Sequence, residues 1–158
     1  MAIYSEKFNP CLGTKKVVFL SCSHSAPLNI YESLFCGTRL DVEMSDKSEA
    51  AMREGVHGSR VVIAIITDDG DPGKKENAYF ERPFCLSELR WALDANIFIQ
   101  PVVAADDKQR IGELLAKAPD DLRDRLGSTD FIHLDRNDKE YWDVGVGKIR
   151  RILGKQRI

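Results

Sequence analysis

Short apolar runs alternate with amphipathic stretches along the chain, and this alternation predicts an α/β fold. The most apolar run covers residues 60–67. A strand without polar positions is typical of the centre of a parallel sheet, where both faces are covered. Four other runs are predicted to be strands, at residues 15–21, 38–43, 97–103 and 131–134. The alternating run at 38–43 indicates an edge strand, and Pro101 predicts a bulge or a strand end.

Stretches with helical periodicity separate these strands. They cover residues 27–35, 46–58, 83–95, 107–118 and 137–153, with a further turn at 120–126. Asn137 and Glu140 are predicted to cap the last helix, although Gly145 and Gly147 weaken its interior. Five strands that alternate with five helical stretches predict a doubly wound sheet of five parallel strands, with helices on both faces. Such sheets bind ligands outside the carboxyl ends of their strands.

The candidate chemistry lies in the helix predicted at residues 83–95. Pro83 suits the first helical position, and Asn96 suits the terminator. At about 100° per residue, one face is apolar, formed by Cys85, Leu86, Leu89, Ala92 and Leu93. The opposite, polar face is formed by Ser87, Arg90 and Asp94. One border of the apolar face carries Phe84, Glu88, Trp91 and Ala95. The carboxylate of Glu88 is therefore placed between aromatic residues.

Two interpretations of Glu88 follow from this position. An ordinary boundary glutamate packs its aliphatic stem and turns its carboxylate to water or to a lysine. Alternatively the carboxylate has a chemical role, because a charge beside aromatic rings is poorly solvated. Glu88 lies one turn into its helix. It can therefore face the crevice at the carboxyl edge of the sheet, together with residues 21–25 and 43–46.

Length and composition are those of a single globular domain. The chain has 158 residues, of which 43% are hydrophobic and 30% are charged. We assign residues 1–14 to an N-terminal extension and residues 15–158 to the domain. The net charge of −2 gives no electrostatic case for a nucleic acid or an anionic membrane as a partner. Since no apolar run has the length of a membrane span or a signal peptide, we expect a cytoplasmic protein.

Several chemistries lack their characteristic residues. The sequence has no G-x-x-x-x-G-K-[ST] loop and no G-x-G-x-x-G after its first strand, so neither NTP hydrolysis nor Rossmann-type dinucleotide binding is indicated. The four cysteines form no C-x-x-C pair and the histidines are scattered, so no metal site is indicated and reduced thiols are expected. A nucleophilic pair of Cys85 and His24 would lack an orienting third group.

A single carboxylate with neighbouring aromatic rings suits one reaction class. Cleavage of an N-glycosidic bond to a cationic pyridinium needs no general acid, because the leaving group departs neutral. The site must supply a negative charge near the oxocarbenium-like ribose and a slot for the departing ring. These requirements correspond to half of the two-carboxylate arrangement of glycosidases.

Four short motifs support a more specific interpretation. Residues 18–21 read V-F-L-S, residues 58–63 read G-S-R-V-V-I, residues 84–89 read F-C-L-S-E-L, and Tyr141 precedes Trp142. In this order they resemble the first-strand box, the S-R-hydrophobic third strand, the W-C-L-x-E-L helix and the F-W box of a TIR (Toll/interleukin-1 receptor/resistance protein) domain. The resemblance extends from about residue 15 to residue 153.

The resemblance implies a flavodoxin-like sheet and homotypic TIR–TIR self-association. In enzymatic members it implies cleavage of NAD⁺ to nicotinamide and ADP-ribose or a cyclic isomer, with NAD⁺ as substrate and no prosthetic group. The family's catalytic glutamate falls on Glu88. The aromatic residue of the family's W-x-x-x-E pattern falls on Phe84, which keeps a stacking face but lacks the indole N–H.

The resemblance also implies a nucleotide crevice. By position, its lining would include Ser21, Cys22, Ser23 and His24. Residues 43–48, with Asp46 among them, match the loop that gates the family's site and often completes it from a neighbouring protomer. This loop lacks the R-D-x-x-P-G pattern of receptor and adaptor members. We therefore expect an NAD⁺ nucleosidase activated by self-association in a signalling or defence pathway. The alternative is a non-catalytic TIR adaptor that acts through TIR–TIR contacts.

Overall fold

The computed structural model of this protein describes residues 2–5, 16–21, 49–68 and 78–155. The strands of its sheet are β1 (Ala2–Ser5), β2 (Lys16–Ser21), β3 (Ser59–Ile65), β4 (Phe98–Ala104) and β5 (Ile132–Leu134). They lie in the order β1-β2-β3-β4-β5. The strands from β2 to β5 are parallel, whereas β1 pairs with β2 in the antiparallel direction.

Helices connect the parallel strands and confirm the α/β class. Within the described ranges they are α1 (Glu49–His57), α2 (Pro83–Asp94), α3 (Ile111–Ala116), α4 (Asp120–Gly127) and α5 (Lys139–Lys155). Two 3₁₀ segments, Tyr79–Glu81 and Ala105–Arg110, precede α2 and α3. Among the residues that the structure describes, no helix combines the length and apolarity needed to cross a membrane.

The middle strand, β3, is the most apolar run of the sequence, as predicted. Its side chains alternate between two separate cores. Val62 and Ala64 pack on one face of the sheet with apolar residues of α1, α2, α3 and α4. Val61 and Ile63 pack on the other face with apolar residues of α5. Helices therefore cover both faces of the sheet, and this explains why β3 has no polar residue from Val61 to Ile65.

One edge of the sheet differs from the sequence-based assignment. The residues of β1 were assigned to an N-terminal extension, yet they pair with β2 in a register that places Tyr4 opposite Val18. The predicted helix at 27–35 and the predicted strand at 38–43 lie outside the described residues. A sheet of five parallel strands therefore stays a prediction.

Pro101 does not cause the expected bulge or strand end. It lies inside β4, opposite Ala64, in an unbroken register. The carbonyl oxygen of Val102 accepts a hydrogen bond from the N–H of Ile66, so the polar groups of Val102 point toward β3. The backbone polar groups of Pro101 point away from β3, because the N–H and C=O groups of successive residues point to opposite sides of a strand. Since β5 begins only at Ile132, which lies opposite Val102, the missing N–H of Pro101 costs no ladder hydrogen bond.

Three further local predictions need correction. Residues 68–82, whose polar sequence with Gly70, Pro72 and Gly73 predicts a loop, contain Tyr79 and Phe80, which are buried and pack edge to face with ring centroids 5.3 Å apart. The helix predicted at 107–118 is split into a 3₁₀ segment and α3. The cap of α5 is Asp138 rather than Asn137, because the Asp138 carboxylate accepts a hydrogen bond from the N–H of Tyr141 at 3.0 Å.

Candidate functional site

The candidate site lies at the carboxyl edge of the parallel strands. Ser21 is the last residue of β2 and lies opposite Ile65 of β3. Just beyond β3, the carbonyl oxygen of Thr67 accepts a hydrogen bond from the N–H of Tyr79 at 3.0 Å. This bond holds the 3₁₀ segment, and α2 directly after it, beside the end of the central strand. The first turns of α2 are therefore positioned at the edge where parallel sheets bind ligands.

Local sequence determines where α2 begins and ends. Pro83 occupies its first turn, and Arg82 is the N-cap residue in an extended conformation. At the other end Asn96 adopts a φ of 53°. The N–H of Asn96 donates to the carbonyl of Leu93 and that of Ile97 to the carbonyl of Ala92, at 2.9 and 2.8 Å. These bonds form a Schellman motif, which ends the helix at the predicted terminator. With Pro83 in the first turn, both predicted ends of α2 are confirmed.

Glu88 is more deeply placed than the sequence indicated. Only 2% of its surface is exposed. The buried residues of α2 are Cys85, Glu88, Leu89, Trp91 and Ala92. Leu86 and Leu93, which were predicted to be on the apolar face, are half-buried. The buried face is therefore rotated by part of a turn, so that Glu88 lies near its middle instead of on its border.

Phe84 has a different environment from Glu88. It lies one turn earlier in α2 and is 61% exposed. Trp91, which follows Glu88 on the same side of the helix, is buried with the core of this face. The predicted border of the helix is thus divided: Glu88 and Trp91 are inside, whereas Phe84 is at the surface. Any contact of Phe84 with a ligand would therefore be made at the protein surface.

The other predicted ligand-binding residues are described only in part. Ser21 lies at the carboxyl edge, as expected for a residue of the crevice. Cys22, Ser23, His24 and Asp46 lie outside the described residues. The structure therefore brings Ser21, the end of β3 and the first turns of α2 to one edge, and the roles of all these residues stay predictions.

An ion cluster that the sequence pattern did not predict lies at this edge. Asp68 follows the central strand, and its side chain is 11% exposed. Its carboxylate accepts hydrogen bonds from Arg110 at 2.8 Å and from Lys117 at 2.9 Å. The hydrogen bond from Lys117 lowers the pKa of Asp68 most; burial acts in the opposite direction, and Arg110 lowers it further. These ion pairs connect the residue after β3 to residues directly before and after α3.

A hydroxyl group at the same edge was also missed. The Oγ1 atom of Thr67 is buried, and no hydrogen-bond partner for it occurs among the described residues. A buried hydroxyl without a partner costs about 1–3 kcal/mol, so such groups often belong to sites of function. The only sequence signal was position: Thr67 ends the most apolar run, and Asp68 directly follows it.

The arrangement has a clear electrostatic property. A carboxylate that is removed from water stabilises a nearby positive charge more strongly than a solvated one, because the local dielectric constant is lower. Glu88 is a buried carboxyl group on the helix whose first turn lies at the edge where an α/β sheet binds small molecules. In its ionised form it would stabilise a reaction centre that develops positive charge.

No protein-family model matches this sequence, and comparison with the curated proteins finds no match.

Proposed function

We propose that this protein is a cytoplasmic TIR-domain NAD⁺ glycohydrolase. It cleaves NAD⁺ to nicotinamide and ADP-ribose, or to a cyclic isomer, and it is activated by self-association in a signalling or defence pathway. The proposal extends the observed α/β sheet to a flavodoxin-like sheet in which residues 38–43 supply a further parallel strand. NAD⁺ is the substrate, and no prosthetic group is required.

The burial of Glu88 is the observation that carries the proposal. The buried face of α2 is otherwise made of Cys85, Leu89, Trp91 and Ala92. A carboxylate near the middle of such a face is costly to remove from water even when it is paired, whereas a leucine or methionine would fill the space without that desolvation cost. Costly ionisable groups at the ligand-binding edge of a fold are candidates for catalysis.

In the proposed mechanism Glu88 acts by charge. The bond between C1′ of the nicotinamide ribose and the pyridinium nitrogen breaks, and its electron pair neutralises the ring. Nicotinamide therefore leaves without a proton from the protein. The ribose develops oxocarbenium character, and the carboxylate of Glu88 stabilises this positive charge. Water then attacks C1′ and releases a proton to the solvent, which gives ADP-ribose. Alternatively, a nitrogen of the substrate's own adenine attacks C1′, a proton is released from the adenine, and the cyclic isomer forms.

Phe84 would bind the departing ring. Its exposed position one turn before Glu88 leaves a ring face available to a nicotinamide that enters from the carboxyl edge. Ser21, with Cys22, Ser23 and His24 after it, would contact the ribose and phosphates. Asp46 would lie in the loop that closes over them.

Activation by assembly is consistent with the exposure of Glu88. In a single chain 2% of the residue is exposed, which leaves little surface for a substrate. In the proposal, self-association arranges residues 43–48 so that NAD⁺ reaches the carboxylate. A weakly active monomer and an active assembly follow from this requirement.

A second function, as a non-catalytic TIR adaptor, is favoured by one observation. Phe84 is a large hydrophobic residue with most of its surface in solvent, and such residues often belong to protein interfaces. The two functions are separated by measuring nicotinamide release from NAD⁺ by HPLC at increasing protein concentration. The glycohydrolase releases nicotinamide at a rate that rises faster than linearly with concentration. An adaptor that self-associates over the same range releases none.

A further inference from the structure

A groove of about 510 Å³ lies at the opposite, amino-terminal edge of the sheet. It is bounded by the first residues of β4 and β5, by the segment after α4 and by the last turns of α5. Its volume is in the range of small-molecule sites. Glu88 and the carboxyl edge contribute nothing to it, so an inference from this groove does not rest on the proposed function.

The groove exists because β5 is short. β5 pairs only with the second half of β4, from Val102 to Ala104. On that side the first half of β4, from Phe98 to Pro101, has no neighbouring strand in the described part of the sheet. The space that a longer β5 would fill is left open between β4 and α5.

Gln100 is a buried polar residue that lines this space. It is 3% exposed. Its Nε2 donates hydrogen bonds to the carbonyl oxygens of Pro101 and Asp130, at 2.9 and 2.8 Å. Both amide hydrogens are therefore used within the protein. The group that Gln100 can still offer to a molecule in the groove is its carbonyl oxygen Oε1, a hydrogen-bond acceptor.

Positive charge surrounds the groove. Lys148, Arg151 and Lys155 line it and are exposed. Their spacing of three and four residues places them on one face of α5. Within residues 49–68 and 78–155 none of the three is in an ion pair, and the Nε of Arg151 makes only a long hydrogen bond of 3.4 Å to the Gly147 carbonyl.

Several basic residues elsewhere in the described chain are paired with carboxylates, unlike Lys148, Arg151 and Lys155. Arg90, Arg110 and Lys117 each have a carboxylate partner within 3 Å, at 2.7, 2.8 and 2.9 Å. The groove itself contains one acidic residue, Asp130. Three cations against one carboxylate leave a positive surplus, which attracts an anion.

The walls of the groove are apolar. Phe98, Phe131 and Ile152 line it and are half-buried, so part of each side chain is available for contact. Apolar walls with a few polar groups at fixed positions are typical of small-molecule sites. We propose that this groove binds an amphipathic anion with an aromatic or aliphatic body and a carboxylate or phosphate head. The body packs on Phe98, Phe131 and Ile152, and the head lies against Lys148, Arg151 and Lys155.

The test is isothermal titration calorimetry of the full chain with 2-naphthoate, 1-naphthyl phosphate, 2-naphthylmethanol and inorganic phosphate. At least one naphthalene anion is expected to bind, with an affinity that falls as salt is raised. The neutral alcohol and inorganic phosphate are expected to bind at least about tenfold more weakly. The alcohol lacks the negative charge, and phosphate lacks the apolar body. A preference between the two naphthalene anions identifies the head group.

Variants locate the binding. The double variant Lys148→Gln and Arg151→Gln is expected to bind the naphthalene anion about tenfold more weakly. The control is Arg136→Gln, because Arg136 is exposed and lies near the other end of α5. This control variant should bind the anion as tightly as wild type. Both changes are on the surface, so the fold is retained. NMR shifts caused by the anion should centre on Phe98, Phe131 and Ile152.

Several results would overturn the proposal. One is that neither naphthalene anion binds. Others are equal affinity for the neutral alcohol, equal affinity of the double variant, or NMR shifts that centre outside the groove. Binding of an acidic heptapeptide by a protein that binds neither naphthalene anion would identify a peptide partner and would also overturn it.

Discussion

Phe84 and Glu88 lie one helical turn apart on α2, yet 61% of Phe84 is exposed and 2% of Glu88. Residues at this spacing usually share a face of the helix. The difference arises because Phe84 belongs to the first turn, where the helix reaches the edge of the sheet, whereas Glu88 faces the interior. The two residues therefore make separate contributions, which variants can distinguish.

Replacement of Phe84 should affect substrate binding without affecting the fold. Phe84→Ala is expected to raise KM for NAD⁺ about fivefold, because a stacking contact of roughly 1 kcal/mol is lost. The melting temperature should stay nearly constant, since the ring is largely in solvent. Phe84→Trp should restore KM, and Tyr141→Ala, another exposed aromatic residue, should not change it. An unchanged KM in Phe84→Ala would remove Phe84 from the site.

Two glycines of α5 should respond to alanine in opposite directions. A Cβ on Gly145 would lie 2.8 Å from the carbonyl oxygen of His133 in β5. Gly145→Ala should therefore destabilise the protein by about 1–3 kcal/mol. A Cβ on Gly147 meets nothing within 4 Å among the described residues. Gly147→Ala should stabilise by about 0.5–1 kcal/mol through helix propensity. Urea unfolding of both variants measures the difference, and equal effects would contradict the packing of α5 on β5.

The positive φ of Asn96 predicts a preference for glycine. Asn96→Ala should destabilise the protein by about 1 kcal/mol, because a residue with a Cβ is strained at this φ of 53°. Asn96→Gly should be neutral or slightly stabilising, since glycine adopts positive φ without a steric cost. Thermal unfolding of the two variants measures the order. A more stable alanine variant would mean that α2 does not end in the Schellman motif.

The ion cluster at Asp68 should make part of the stability depend on pH. Hydrogen bonds from Lys117 and Arg110 hold the pKa of Asp68 below its ordinary value of 3.8, despite its burial. The stabilisation is therefore complete above pH 3.8 and is lost as the pH falls through the lower pKa of the folded state. Asp68→Asn should cost about 1–2 kcal/mol at neutral pH.

The measurement is the difference in melting temperature between wild type and Asp68→Asn, from neutral pH into the acid range. The difference should be constant near neutrality and should shrink in acid. The reference variant is Asp94→Asn, an exposed carboxylate of α2, which should differ little from wild type at any of these pH values. A difference that grows in acid would contradict the sign of the pKa shift.

Elements with local signals could be predicted from the sequence. The middle position of β3 follows from its apolar run, and the ends of α2 follow from Pro83 and Asn96. Strand burial and helix termination depend on the residue types within or next to the segment itself. Gly145 could not be interpreted in this way. Its role depends on the close approach of α5 to β5, which a sequence pattern does not reveal.

Non-local relationships account for the errors. Pro101 is tolerated inside β4 because β5 starts late, and this depends on residues that follow a 3₁₀ segment and two helices further along the chain. The partners of Asp68 lie 42 and 49 residues away. In the candidate site, Glu88 could be selected as a candidate from its helical position together with the resemblance to a TIR domain. Its depth could not, because the rotation of α2 is determined by the elements that pack against it.

The most direct test of the central claim compares two carboxylates of the same helix. Glu88→Gln keeps the size of the buried side chain and removes its charge, and Asp94→Asn makes the same change on the exposed face of α2. Nicotinamide release from NAD⁺ is measured by HPLC at a protein concentration at which wild type self-associates. Glu88→Gln should lose at least about 99% of the activity, because a charge that stabilises the transition state is removed. Its melting temperature should be close to that of wild type. Asp94→Asn should remain fully active. A folded Glu88→Gln variant with wild-type turnover would contradict the account.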